Sequence, residues 1–290
     1  MLKDLLLKKK LVLDGAMGTR LQKAGLPAGN LPDEWNLSHP DVVYEITRSY
    51  VEAGSDIIQT NTFGSNRLRL KKYGMEGKIR EINQKAVEIA RQAMNPSTLL
   101  CASLGPVGEF IEPYGDLTKK DVQDIFREQV EILLSEGVLL FNLETFISSI
   151  ESIAATETII DLGGEVIASF TYEPREKGQF TTLMGETPER IAQTFQSLPI
   201  AALGSNCGTG IKEMTRIAAV YRSHYPGFIS CKPNAGIPQI RDDQIYYTET
   251  PEDFAEGTKR FLEFNVNIIG GCCGTDQHHI RAIADLVHNT

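Results

Sequence analysis

No stretch of the chain approaches the roughly 18 consecutive apolar residues that a membrane-crossing helix needs. The opening residues, Met1-Leu2-Lys3-Asp4-Leu5-Leu6-Leu7-Lys8-Lys9-Lys10, carry one three-residue apolar run broken by charges. That is too short for the core of a secretory leader. Positive charge is scarce as well: 29 Lys and Arg stand against 38 Asp and Glu, for a net charge of −9, and no basic run is longer than Lys8-Lys9-Lys10. A nucleic-acid footprint is therefore not expected, because such surfaces concentrate Lys and Arg. The five cysteines are odd in number and lack the spacing of a secreted disulfide framework, which places the chain in a reducing cytoplasm. Neither a linker rich in Pro, Gly and Ser nor an internal repeat divides it.

What is present suits a large enclosed core: 41% of the 290 residues are hydrophobic and 23% charged, ordinary values for a globular protein. Short apolar runs recur, each followed by a loop rich in Gly, Pro, Asn or Thr. They predict strands over residues 10–14, 55–60, 98–103, 138–143, 165–170, 200–204, 227–232 and 266–269. Helical spacing fills the gaps. Val42, Val43, Ile46, Tyr50 and Val51 mark one helix face ending near Gly54, and Val122, Ile125, Phe126, Val130, Ile132, Leu133 and Leu134 mark another that stops before Gly137. Eight strands alternating with helices predict an α/β chain folded as a single (β/α)8 TIM barrel, one domain over residues 1–290. Residues 25–40 and 239–251 are the longest non-periodic pieces.

Such barrels carry their active sites at the carboxyl ends of the strands. The polar residues there are Asp14, Thr60-Asn61-Thr62, Glu144-Thr145, Asn206-Cys207, Asn234 and Cys272-Cys273. The adjacent pair Cys272-Cys273 lies between glycines, which permit the bend that two neighbouring thiols need to share one ion. With Cys207, a three-thiolate Zn2+ centre with one open position is the expected arrangement, able to take a sulfur from a substrate. Inert buried thiols, or a vicinal disulfide between Cys272 and Cys273, are the competing readings. Asp14-Gly15-Ala16-Met17-Gly18-Thr19 offers small residues whose N–H groups can receive a carboxylate, with Asp14 beside them for an ammonium; a tight turn capped by Asp14 is the alternative. Glu144, at the depth of a strand end, needs a cation, either a ligand's ammonium or a structural Lys or Arg. Asn234 can touch a substrate, orient a metal ligand or simply form a turn. Cys101 and Cys231 read as core. His278 and His279 read as the start of a last helix capped by Asp276, and His39, His224 and His288 as surface residues, so no histidine is assigned to metal.

These motifs, with Ala53-Gly54-Ser55-Asp56, Thr60-Asn61-Thr62-Phe63-Gly64, Gly105-Pro106, Glu144-Thr145-Phe146, Asn206-Cys207-Gly208-Thr209-Gly210, Pro233-Asn234-Ala235-Gly236 and Gly270-Gly271-Cys272-Cys273-Gly274-Thr275, resemble the homocysteine S-methyltransferase family. The forms around Asp14 and Thr60 resemble the homocysteine-binding module of cobalamin-dependent methionine synthases. The resemblance covers nearly the whole chain and implies a zinc-dependent methyltransferase that forms methionine. It implies Cys207, Cys272 and Cys273 as zinc ligands, Asp14 and Glu144 around the amino group, and Ala16, Met17, Gly18 and Thr19 at the carboxylate; Asn234 matches a position near the metal. It also implies methylcobalamin as donor, carried on a partner domain or protein. S-methylmethionine, S-adenosylmethionine or a betaine are the alternative donors, and a non-catalytic zinc or thiol-binding module is the alternative of another kind. Lys232, before Pro233, departs from the residue often found there in related sequences.

Overall fold

The structure, a computed structural model, describes residues 2–241 and 244–289. Eight parallel strands form its central sheet: β1 Leu11–Val12, β2 Ile57–Gln59, β3 Leu99–Leu104, β4 Leu140–Phe146, β5 Glu165–Phe170, β6 Ala202–Gly210, β7 Ile229–Asn234 and β8 Ile268–Ile269. Each pairs with its neighbour in chain order. The sheet then closes on itself, because Leu11 and Val12 pair with Ile268 and Ile269 while Leu13 bridges Ile57 in parallel. The predicted (β/α)8 TIM barrel is the fold observed.

Period-two alternation along the strands explains the layering. Leu11, Leu13, Ile57, Cys101, Leu140, Ile167, Ala202 and Ile268 turn inward and pack as one cluster. Their immediate neighbours Val12, Ala102, Phe141, Ala168, Leu203 and Ile269 turn outward against the helices. The inner cluster also takes in Leu2 and Leu6 from the short helix Leu2–Leu6. The opening Leu-rich segment is thus a plug for the amino end of the barrel, since apolar side chains at the bottom of a closed sheet must be covered from outside it.

Several sequence expectations need correction. β4 and β6 run well past the predicted ends at 143 and 204, to Phe146 and Gly210. Polar residues and glycines interrupt these ends (Glu144-Thr145 in β4, Ser205-Asn206 and Gly208-Thr209-Gly210 in β6), so an apolar run does not mark them, yet the backbone continues in the ladder. Residues 25–40 contain the short helical turns Pro32–Glu34 and Trp35–Ser38. Within 239–251, Gln239–Arg241 and Gln244–Tyr246 pair as antiparallel strands; Asp242 and Asp243 lie outside the described residues. The helices Pro40–Glu52 and Lys119–Ser135 fall where the periodicity placed them, the second opening on a capping box between Thr118 and Asp121. Among the described residues no helix is long and apolar enough to cross a membrane.

Closure leaves little room at the end of β8. A Cβ on Gly270 would stand 2.8 Å from the carbonyl oxygens of both Leu13 and Asp14. Gly270→Ala is therefore predicted to lower unfolding free energy by about 1–3 kcal/mol, read as a drop in the urea midpoint. An unchanged midpoint would mean that β1 and β8 can separate freely and that closure is not so tight.

Candidate active site

A cavity of about 470 Å3 opens at the carboxyl ends of the strands. Its wall brings together Asp14, Ala16, Met17, Gly18, Glu144, Cys207, Cys272 and Cys273. A larger groove, about 1070 Å3, runs outside the barrel between the helices Pro188–Phe195, Ile211–His224 and Pro251–Glu263, and touches none of these residues.

The sulfurs of Cys207, Cys272 and Cys273 lie within 4.8 Å of one another, and those of Cys207 and Cys273 are 3.9 Å apart. A tetrahedral ion with metal–sulfur bonds of about 2.3 Å has sulfurs roughly 3.8 Å apart, so the thiols already stand near that spacing. Backbone geometry produces this convergence. Cys207 and Gly208 both adopt left-handed φ, 59° and 70°, and the pairing of β6 with β7 shifts register between Asn206 and Gly210. That bulge turns Cys207 toward the double cysteine, which itself ends at Gly274 with φ 84°. Hydrogen bonds from Cys272 and Cys273 hold the Cys207 thiol far below its ordinary pKa. In return, the hydrogen bonds they make to Cys207 push the other two thiols up. One thiol is thus pulled down and its two neighbours pushed up, and a cation among the three sulfurs would favour ionising them together.

Two asparagines frame this cluster. Asn206 accepts the Thr145 N–H at 2.7 Å, donates to Thr145 Oγ1 at 2.8 Å, and lies 3.8 Å from the Cys272 sulfur. Thr145 has a left-handed φ of 65°, unfavourable for a β-branched residue, and Asn206 pins it there. Asn234 is buried and helps hold the Cys207 thiol down, while its Oδ1 has no hydrogen-bond partner. Burial first, and then the neighbouring Cys273 and Cys207, push the Tyr247 hydroxyl up.

Deeper in the barrel lies a charged centre. Lys232 is only 4% exposed; its ammonium is 3.1 Å from Glu144 Oε2 and 3.8 Å from Asp14 Oδ1, and it also donates to Gln59 Oε1. Glu144 further accepts from Gln59 Nε2 at 2.9 Å, from Asn142 Nδ2 at 3.4 Å and from Ser103 Oγ. Of the cations considered for Glu144, the structure contains the protein's own lysine. Burial opposes the charge on Lys232, but Glu144 and Asp14 outweigh it and hold the ammonium above its ordinary pKa. Asp14 Oδ2 accepts the Gln59 N–H at 2.6 Å, and Oδ1 has no hydrogen-bond partner. Burial pushes Asp14 up to about 6, against the opposing pull of Lys232 and of that N–H.

The turn after β1 is stitched to the turn after β8. Ala16 N donates to Thr275 Oγ1 at 3.1 Å, Gly274 N donates to Thr19 Oγ1 at 3.1 Å, and the Tyr50 hydroxyl donates to Ala16 O at 2.6 Å. The Ala16 N–H is therefore taken. Met17, Gly18 and Thr19 open the helix Gly18–Lys23, where N–H groups have no intrahelical acceptor. Asp276 caps the last helix and pairs with His279, as its position suggested; Cys101 and Cys231 are fully buried.

Gln59, Ser103 and Tyr247 were not anticipated as site residues, and Lys232 was noted only as a departure. The first two and Lys232 share a signal that strand periodicity carries: Gln59 follows inward Ile57 by two residues, Ser103 follows inward Cys101, and Lys232 is one step from outward Cys231. A polar residue at inward parity near a strand's carboxyl end faces the cavity. Tyr247 comes from a loop and carries no such signal.

Comparison with known proteins agrees with this geometry. The family described as homocysteine S-methyltransferase matches residues 11–287. A methionine synthase of Mycobacterium leprae is 30% identical over 98% of this chain, and one of Mycobacterium tuberculosis is 30% identical over 99%. The chain spans a quarter of the length of these two relatives. The metallated homocysteine methyltransferase MmuM from Escherichia coli superimposes with a TM-score of 0.81, covering 98% of this chain and 99% of that one, and its oxidised form gives 0.80. At 23% and 24% identity those likenesses speak for the fold.

Two outcomes are predicted from the site. Asn206→Ala strands the Thr145 N–H and releases its left-handed backbone, so stability should fall by about 1–3 kcal/mol; a thermal melt identical to the parent's would refute the pinning role. Asp14 has a folded pKa above its unfolded one, so its contribution to stability is greatest below about pH 4 and is lost as pH rises through about 6. The stability of the parent relative to Asp14→Asn, both treated with chelator, should decline by up to about 3 kcal/mol from pH 4 to 7. A difference independent of pH would show that Asp14 does not titrate in this range.

Proposed function

The chain belongs to the homocysteine S-methyltransferase family, and on that basis we propose that it methylates the sulfur of homocysteine to form methionine. The observation that carries this reading is the convergence of three sulfurs within 4.8 Å on the wall of a cavity also lined by Asp14, whose Oδ1 has no hydrogen-bond partner. Residues 1–290 are taken as one homocysteine-binding barrel domain.

Cys207, Cys272 and Cys273 would hold Zn2+; their spacing and the soft thiolate donor set both suit that ion. Zinc, when bound, supplies a Lewis acid that keeps a substrate thiol deprotonated near neutral pH. The protein's own residues do the positioning. Met17, Gly18 and Thr19 would receive the substrate carboxylate on their N–H groups, with Ala16 shaping the turn. Asp14 Oδ1 would accept from the amino group, and Glu144 would fix Lys232 beside it. Asn234 and Asn206 would orient the thiolates through their contacts with Cys207 and Cys272. In the reaction the homocysteine sulfur, having lost its proton, forms a bond to the methyl carbon while the donor's bond to that carbon breaks and the donor keeps the electron pair. Orientation by the barrel rim replaces any protein nucleophile.

The donor is proposed to be methylcobalamin, presented by another domain or protein. Identity to methionine synthases over a segment that is a quarter of their length supports a division of labour of this kind. So does the apolar rim of the cavity's end of the barrel, where Phe110, Tyr114 and Ile237 stand exposed on the loops after β3 and β7.

Cys207→Ser, Cys272→Ser and Cys273→Ser are each predicted to lose bound zinc and methionine formation together, by at least about 100-fold in rate. Zinc content by elemental analysis is measured beside turnover with homocysteine and either methylcobalamin or S-methylmethionine. Full turnover by a zinc-free variant would overturn the metal assignment. Turnover with S-methylmethionine and not methylcobalamin would overturn the donor.

A further inference from the structure

On the reading of function given above, Asp14 Oδ1 would receive the substrate's amino group, with Glu144 and Lys232 beside it. Glu144 has no capacity left for a ligand. An ionised carboxylate offers about four lone-pair positions, and Gln59, Ser103, Asn142 and Lys232 take them. Asp14 gives Oδ2 to the Gln59 N–H, so of the four oxygens Oδ1 alone is without a hydrogen-bond partner. That oxygen is 3.8 Å from the Lys232 ammonium. A ligand ammonium within hydrogen-bond reach of it would lie a few ångströms from a second cation, in a buried setting where water screens little.

Charge counting points the same way. Two carboxylates without a lysine would leave the centre with two negative charges and a strong requirement for a cation. With Lys232 the excess is one. Lys232 cannot easily swing away, because it is buried, is also held by Gln59, and would leave Glu144 buried without its ion pair. By contrast, the Met17–Thr19 turn and the three thiols do not depend on Lys232 for any contact described above.

We propose that Lys232 is a specificity-determining residue that supplies part of the positive charge a substrate's amino group would otherwise bring, so that short thiol-carboxylates without an α-amino group are accepted about as well as homocysteine. The substrate class is the ω-mercaptoalkanoates of homocysteine's length. The chemistry is unchanged: the thiol loses its proton, the sulfur–carbon bond forms, and the donor leaves with its electron pair.

Calorimetric binding of L-homocysteine and of 4-mercaptobutanoate, which differs from it only in lacking the amino group, tests this on the zinc-loaded protein. The two dissociation constants should agree within about threefold in the parent chain. Lys232→Met should move the ratio by at least about tenfold in favour of homocysteine, the size expected for one charge-assisted hydrogen bond regained. The double variant Lys232→Met/Glu144→Gln removes both members of the ion pair and covers the case in which the single variant does not fold; its ratio should return to the parent's. A merely structural lysine would weaken both ligands equally and leave the ratio fixed. A parent that prefers homocysteine more than about tenfold, or a ratio that Lys232→Met leaves unmoved, overturns the proposal. Failure of both thiols to bind a protein holding one zinc removes the reading of function itself, and with it the proposal.

Discussion

Closure of the sheet is the constraint on which everything at the site depends. The Leu11 and Leu13 N–H groups donate to the carbonyls of Asn267 and Ile269 while Leu13 also bridges to the second strand, and that seam makes neighbours of the chain's two ends. Asp14 and Cys272 follow the strands on either side of it. An open sheet of the same eight strands would leave the Asp14 turn and the double cysteine on opposite edges. The closeness of the Gly270 backbone to Leu13 and Asp14 shows how tightly the seam is drawn.

Above the seam, the interior changes character within two residues along several strands. Ile57 gives way to Gln59, Cys101 to Ser103, and Leu140 to Asn142 and then Glu144. The lower layer is apolar and sealed by Leu2 and Leu6; the upper layer is a hydrogen-bonded polar network around one buried lysine. Such a network is stable only if nearly every polar atom in it is satisfied. Asp14 Oδ1, beside Lys232, and Asn234 Oδ1, on the strand that carries Lys232, are among the buried atoms that find no hydrogen-bond partner.

Much of this was legible in the sequence, because apolar runs followed by glycine-rich turns report parallel strands and because strand ends in a barrel share one rim. Asp14, Glu144, Cys207, Cys272 and Cys273 were found that way, and the structure places them in one cavity. What escaped was whatever a residue-by-residue reading cannot weigh. The helix Leu2–Leu6 is too short to show periodicity, and the polar tails of β4 and β6 look like loops until their ladder partners are known. Lys232 sat inside an apolar strand, where alternation indicates an inward side chain. That it would reach Glu144 depends on the register between strands that are distant in sequence.

The stitching between the turn after β1 and the turn after β8 has a consequence in terms of thermodynamic linkage. Thr19 holds Gly274, Thr275 holds Ala16, and Tyr50 clamps the carbonyl of Ala16. Whatever orders the double cysteine also orders the N–H groups of Met17, Gly18 and Thr19, so on the proposed binding mode the two ends of a ligand would be read by a single mechanical unit. Coupling of that kind is reciprocal. A ligand that grips only the carboxylate end would tighten the hold of the thiols on an ion, and an ion would sharpen affinity for molecules that carry no sulfur at all.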